Sequence, residues 1–228
     1  MSDSILQVNQ IKDKGGNATG ITVADSTANV TINNLTATTL TATTASIPAA
    51  AGSSMVLLEK FTASNTAEKI FNLDSYSSYN THTFIMDHLL PATDNVTLQA
   101  HLGTSSSSFA STTHDYSFGT MFQYHRYSDG DNGRTSEVTH TRAYFLPYVG
   151  NDSGSGVCGI FNVFGATNSS QRTFLNHRVS MWQVNNYSQH HTGGSIKTTA
   201  TDDAYIRFQF NSGNIASGTI ALYGVKDA

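Results

Sequence analysis

Apolar and polar side chains alternate with a period of two beyond residue 55, a pattern that predicts β-strands. The segments 96–102 and 205–210 alternate cleanly, and 81–87 is predicted to be a further strand. The segment 218–223 is predicted to be a closing strand that could pair with 205–210 across a turn at 211–214. No window shows a convincing 3.6-residue stripe. Short strands about ten residues apart are typical of a sandwich or jelly roll.

The first fifty residues follow a different pattern, in which isolated aliphatic residues stand among small and polar ones. No aromatic residue occurs there, and residues 35–39 are followed by an imperfect copy of themselves at 40–44. Such a segment has too little apolar surface to form its own core, so we expect it to be buried against other copies of the chain. The predicted assembly residues are Leu6, Val8, Ile11, Ile21, Val23, Val30, Ile32, Leu35 and Leu40.

The composition changes near residue 50. Residues 45–54 have the composition of a linker, and every Phe, Tyr and Trp lies between Phe61 and Tyr223. We therefore predict an attachment arm or β-shaft over residues 1–50 and a β-sandwich knob domain over residues 51–228. The expected fold class is all-β, with an extended arm followed by an antiparallel, jelly-roll-like sandwich, in a homotrimer.

Charge and cysteine content narrow the possible functions. Charged residues make up 12% of the chain and the net charge is −4, which argues against a nucleic-acid partner because such binding needs a basic stripe. Cys158 is the only cysteine, so we expect neither an intrachain disulfide nor a thiolate metal site. The pattern predicts no signal peptide and no membrane insertion, so we expect assembly in a host cytoplasm. No cofactor is expected.

The nine histidines raise the question of a metal or catalytic site. His190 and His191 precede a Gly-Gly pair, which favours an exposed loop, and adjacent side chains of an extended segment point to opposite faces, which suits one metal poorly. His114 and Asp115 resemble half of a catalytic pair, but no Gly-x-Ser-x-Gly elbow completes it. The run 129–133 fails the EF-hand pattern and favours a hairpin turn, and the sequence leaves open whether it binds a cation.

An aromatic and cationic cluster after residue 123 is the best candidate for a binding surface. Amphipathic rings and cations suit the recognition of carbohydrate or protein. If the segment is a strand, half of these side chains point into the sandwich, so a core role is equally open. The predicted binding residues of the knob, including the histidine pair, are Tyr124, His125, Arg126, Tyr127, His190 and His191.

Several segments resemble structural proteins of tailed phages. Residues 5–16 and 30–35 are similar to the N-terminal arms of tail-fibre and virion proteins, which carry an apolar-alternating opening, a Gly-containing turn and Thr/Asn-rich β repeats. The segments that resemble structural proteins of phages infecting marine bacteria (cyanophage-like) are 71–75, 90–96, 115–118 and 218–225. The resemblance implies a virion component, commonly a trimer with an attachment region and a β-sandwich knob, and it brings no catalytic residues.

Three functions are compatible with these features. The first is a short trimeric tail fibre, attached to a tail adaptor, nozzle or baseplate by its arm, that recognises a host polysaccharide or protein through its knob. The second is a capsid decoration or cement protein, which copy number per virion would distinguish from the first. The third is a tail-associated polysaccharide depolymerase, which needs paired carboxylates. Glu is scarce and none has a visible partner, so we expect the protein not to be an enzyme, while the sequence leaves open a pair that includes Asp74, Asp87, Asp94 or Asp115.

Overall fold

The structure is a computed structural model that describes residues 55–111, 115–125, 130–183 and 187–225. All of these belong to the second of the two units into which the chain divides, Pro48–Ala228. The predicted arm, its assembly residues and the boundary predicted at residue 50 lie outside the described residues and stay predictions. Within the described ranges, no helix is long and apolar enough to cross a membrane.

The described residues form thirteen strands and one short 3-10 helix at Asp74–Tyr76, which confirms the prediction of an all-β fold. The strands are β1 (Met55–Thr62), β2 (Glu68–Asn72), β3 (Thr81–Pro91), β4 (Val96–Ser105), β5 (Ser108–Phe109), β6 (Tyr116–His125), β7 (Gly130–His140), β8 (Tyr144–Val149), β9 (Gly156–Phe164), β10 (Phe174–Gln183), β11 (Tyr187–Lys197), β12 (Tyr205–Phe210) and β13 (Ile215–Val225).

The strands form two layers, and their pairing is antiparallel. The thirteen strands belong to one hydrogen-bonded sheet, which we divide at the β10–β8 pairing, where Gln183 lies opposite Val149. Layer A has the order β1-β13-β3-β9-β10-β11-β6-β7, and layer B has the order β2-β12-β4-β8 with β5 beside β4. In this arrangement β1 pairs with β13, β2 with β12, β3 with β9, and β4 with β8. The hairpins β10–β11 and β6–β7 widen layer A beyond β9.

Four phenylalanine rings hold the two layers together. Phe84 and Phe161 come from layer A, Phe71 and Phe208 come from layer B, and all four are fully buried. The ring centroids of Phe84 and Phe208 lie 5.1 Å apart, and those of Phe161 and Phe208 lie 5.6 Å apart, both across the layers. Edge-to-face contacts of this kind add about 0.5–1.5 kcal/mol per pair to the gain from burial. The described strands are therefore packed as a β-sandwich.

The strands predicted at 81–87, 96–102 and 205–210 are confirmed as β3, β4 and β12. The inward residues predicted for the last two are at most 4% exposed: Val96, Leu98, Ala100, Leu102, Ile206, Phe208 and Phe210. The predicted pairing of 218–223 with 205–210 is wrong. β13 pairs instead with β1 and β3, because the turn after β12 carries the chain from layer B into layer A.

Candidate interaction surface

Alternation along β10 separates the two faces of layer A. Leu175, Val179 and Met181 point towards layer B and are at most 4% exposed. Phe174 and Trp182, which occupy the alternate positions, are 49% and 39% exposed. We call the side of layer A that carries these alternate positions the outer face.

The outer face carries large apolar side chains in contact with solvent. Besides the two β10 residues, Met121 is 62% exposed, Ile160 is 43% exposed and Ile196 is 37% exposed. The strand register brings two of them together, since Phe174 lies opposite Ile196 on β11 and also opposite Phe164 on β9. Ile160 lies opposite Arg178, and Met121 lies opposite Thr192. Exposed apolar side chains that adjoin one another are typical of surfaces that another molecule covers.

A ladder of polar side chains runs across three strands of the same face. The Thr83 hydroxyl donates to Oδ1 of Asn162 at 2.8 Å, and Nδ2 of Asn162 donates to Oδ1 of Asn176 at 2.7 Å. These groups satisfy one another laterally, so a partner could cover them without breaking the hydrogen bonds. The ladder therefore gives these three side chains hydrogen-bond partners within the same chain.

The outward side of layer B is polar and its charges are paired. Nη1 of Arg207 lies 3.5 Å from Oε2 of Glu68, and its guanidinium lies 4.4 Å from the centroid of the Phe109 ring. Nε2 of Gln209 donates to Oε1 of Gln99 at 3.4 Å. The two sides of the sandwich thus differ in chemistry, because the outer face of layer A carries exposed large apolar side chains beside its polar ones.

The structure places the predicted binding residues at different sites. Tyr124 and His125 end strand β6, with side chains outside the described set, and Arg126 and Tyr127 are outside the described residues altogether. His190 is exposed on the outer face, where its Nδ1 lies 2.7 Å from the Ser180 hydroxyl. A contact between the segment 124–127 and the histidine pair therefore stays a prediction.

The structure corrects the prediction for His191, which lies in strand β11 and not in an exposed loop. Its side chain is 4% exposed, its Nε2 lies 2.9 Å from Oε1 of Gln189, and burial lowers its pKa to about 4. The Gly-Gly pair that suggested a loop serves another purpose: a Cβ on Gly194 would lie 2.5 Å from the carbonyl oxygen of Leu175. Glycine here permits close approach of β10 and β11, and a buried His191 cannot contact a host receptor.

Four of the five residues of the turn predicted at 129–133 lie in a strand. β6 and β7 do form a hairpin, with His125 opposite Gly130, but residues 130–133 belong to β7. The connection between the strands lies outside the described residues, and Asp129 with it. The Asp-Gly and Asn-Gly pairs therefore predicted the hairpin correctly and the turn position wrongly, and binding of a cation there stays untested.

The apolar residues of the outer face were not predicted as functional. The available signal was the adjacency of Ile160 and Phe161, since neighbouring residues of a strand point to opposite faces and both of these are large and apolar. Comparison of the chain with family models, curated proteins and solved structures found no match. Function must therefore be argued from the surface itself.

Proposed function

We propose that this protein is a structural component of a phage virion, a short trimeric tail fibre. In this proposal residues 1–50 attach the protein to the tail, and residues 51–228 form a host-recognition knob. The observation that carries the proposal is the exposed apolar outer face of layer A. No catalytic step is part of the proposed function.

The size of the exposed apolar surface supports assembly. Complete burial of a large aliphatic or aromatic side chain contributes about 1.5–3 kcal/mol, so covering one that is about half exposed contributes about 1 kcal/mol. The five outer-face residues Met121, Ile160, Phe174, Trp182 and Ile196 would together contribute about 5 kcal/mol per chain. While these side chains stay in solvent, they add nothing to the stability of a single knob. Contact between copies would gain their full free energy of burial.

The start of the knob supports the same conclusion. Met55, Val56 and Leu57 are 47%, 36% and 52% exposed, and they open β1, the first strand of layer A. An exposed apolar edge strand invites pairing with another chain unless something covers it. The residues that precede it form the predicted partner-dependent arm. Several identical chains could cover these edges together, because each chain supplies the same arm and the same edge.

Trimeric organisation fits the proposed role in recognition. Weak contacts between a knob and a cell-surface polysaccharide gain strength when identical knobs bind at once, because the second contact occurs at a high effective concentration. The predicted contact residues that remain candidates are Tyr124, His125, Arg126, Tyr127 and His190.

The mass of the full chain in solution tests the assembly, with light scattering coupled to size-exclusion chromatography as the measurement. We expect three chains per particle. Phe174→Glu should dissociate the particle, since it places a charge on the outer face, while Ser107→Glu in the exposed β4–β5 turn should leave the mass unchanged. A monomeric full chain, or equal effects of the two variants, would refute the proposed assembly.

Incorporation into virions tests the role of the arm. Deletion of residues 1–50 should abolish incorporation and leave a knob with native far-ultraviolet circular dichroism. Incorporation of the truncated protein would show that the arm is not the attachment segment. A high copy number per virion would identify a capsid decoration protein in place of a tail fibre.

A further inference from the structure

The structure brings three potential metal ligands together on the outer face, from residues that are distant in the sequence. Asp87 and His88 lie in β3, and Cys158 lies opposite them in β9. Oδ1 of Asp87 lies 2.8 Å from Nδ1 of His88, and Sγ of Cys158 lies 3.7 Å from the same nitrogen and 4.0 Å from Oδ1 of Asp87. We propose that these three side chains form a zinc-binding site.

The separations lie within about 0.6 Å of those in a tetrahedral zinc shell. Bond lengths of about 2.3 Å to sulfur and about 2.0–2.2 Å to nitrogen and oxygen place neighbouring ligand atoms about 3.4–3.6 Å apart. The observed 2.8, 3.7 and 4.0 Å bracket this range. The carboxylate and imidazole are each 69% exposed, so small side-chain rotations can equalise the distances, and the fourth position stays open to water or another molecule.

The backbone around the ligands is shaped to hold this arrangement. The β3–β9 register shifts between Met86 and Leu89, so Asp87 and His88 form a bulge, and His88 has a positive φ of 46°. A Cβ on Gly218 of the neighbouring strand would lie 2.3 Å from the carbonyl oxygen of His88, so only glycine fits beside the bulge. Bulges often re-aim side chains at functional sites, and here the bulge aims two ligands at the sulfur.

The sulfur atom also accepts a hydrogen bond from the backbone of the bulge. The backbone N–H of His88 donates to Sγ of Cys158 at 3.2 Å, and such a donor stabilises negative charge on sulfur. Zinc binding would release the thiol proton, since the metal ligand is the thiolate. Binding should therefore become stronger as the pH rises.

The geometry favours a metal site over a catalytic Cys-His-Asp relay. In a relay the acid and the nucleophile face different ring nitrogens, so that one orients the ring and the other exchanges a proton. Here Asp87 and Cys158 both approach Nδ1 of His88, which can carry only one proton. A carboxylate, an imidazole and a sulfur that converge in this way are ligand types that zinc accepts. This proposal differs from the expectation of no thiolate metal site, because it combines one cysteine with an imidazole and a carboxylate.

Cobalt and zinc titrations of the full chain test the proposal, with protein that is reduced, chelator-treated and free of any polyhistidine tag. Co²⁺ should give a thiolate-to-metal charge-transfer band that saturates at one ion per chain, and Zn²⁺ should displace it. Cys158→Ser should abolish the band. Asp87→Asn and His88→Asn should weaken Zn²⁺ binding by at least about tenfold, since even loss of an outer partner of a ligand costs about 10–100-fold. Asn tolerates the positive φ at position 88.

The matched control is Asp152→Asn, which alters an exposed carboxylate outside both the cluster and the proposed contact residues and should bind both metals as the unaltered chain does. Absence of the charge-transfer band in the unaltered chain would overturn the proposal. So would Zn²⁺ binding that Cys158→Ser and His88→Asn leave unchanged, because the metal would then lie elsewhere. The proposal is independent of trimer formation, since all three ligands come from one chain.

Discussion

Two buried histidines on β10 and β11 should lower the free energy of unfolding of the knob in acid. His177 on β10 and His191 on β11 are each 4% exposed and lie on the side that faces layer B. Burial lowers the pKa of His177 to about 3, aided by the nearby His191. Burial also lowers the pKa of His191 to about 4, aided by the nearby His190. Both side chains are therefore neutral in the folded protein.

The sign and size of the effect follow from the difference between the folded and unfolded states. The unfolded chain binds a proton at each histidine near the ordinary pKa of 6.5, and the folded protein does not. The free energy of unfolding therefore falls as the pH drops below 6.5 and continues to fall until the pH reaches the folded pKa values. Between about pH 7.5 and pH 5 each histidine removes about 2 kcal/mol, and the pair removes about 4 kcal/mol.

Urea unfolding of the full chain at several pH values, followed by far-ultraviolet circular dichroism, measures this loss. In thermal unfolding of a domain of this size, we expect the melting temperature to fall by about 8–16 °C over the same pH interval. The double variant His177→Gln, His191→Gln should lose most of the pH dependence, whereas the exposed control His190→Gln should keep it. Equal pH dependence in the double variant and the unaltered chain would refute the reasoning, as would proton uptake by either imidazole of the folded protein above pH 5 in NMR titration.

Two further substitutions test the packing of the knob. Lys197→Met should lower the free energy of unfolding by about 3–5 kcal/mol in urea titrations, because it leaves the fully buried carboxylate of Asp203 without the ammonium that pairs with it. An unchanged unfolding midpoint would show that this ion pair is dispensable. Gly218→Ala should cost about 1–3 kcal/mol from its φ of +102° alone, and more from the 2.3 Å approach of the His88 carbonyl. Gly119→Ala, which has open space around it, should cost less than about 1 kcal/mol, and equal costs for the two glycines would contradict this explanation.

The sequence predicted local features of the fold better than its long-range pairing. Period-two alternation identifies the buried faces of β4 and β12, because residues such as Leu98 and Phe208 must leave water whichever strand they pair with. The pairing of β13 with β1 and β3 depends on strands that are distant in the sequence. A short turn between two strands usually forms a hairpin. No feature of residues 211–214 in the sequence indicates that the chain instead crosses from one layer to the other.

The same distinction applies to the two candidate sites. Cys158 lies 70 residues after His88 in the chain, so no motif of fixed spacing announces that they meet. The outer face is similar, because Phe174, Ile196 and Ile160 come from three strands and look individually like core residues. Only the register shows that they share one exposed side. His191 is the opposite case, in which a residue assigned to the surface lies in the interior.

The distribution of apolar residues separates the folding of the knob from its assembly. The four interlocked rings, among them Phe84 and Phe208, complete a core within one chain, so the sandwich needs no second copy to exclude water from its interior. The exposed side chains of the outer face, such as Ile160 and Met121, add little to that core. Variants of this face should therefore change the oligomeric state and leave the unfolding free energy of the isolated knob almost unchanged. The arm proposed for residues 1–50 has no aromatic residue, so the proposal assigns its aliphatic side chains to contacts between copies and not to the core of the knob.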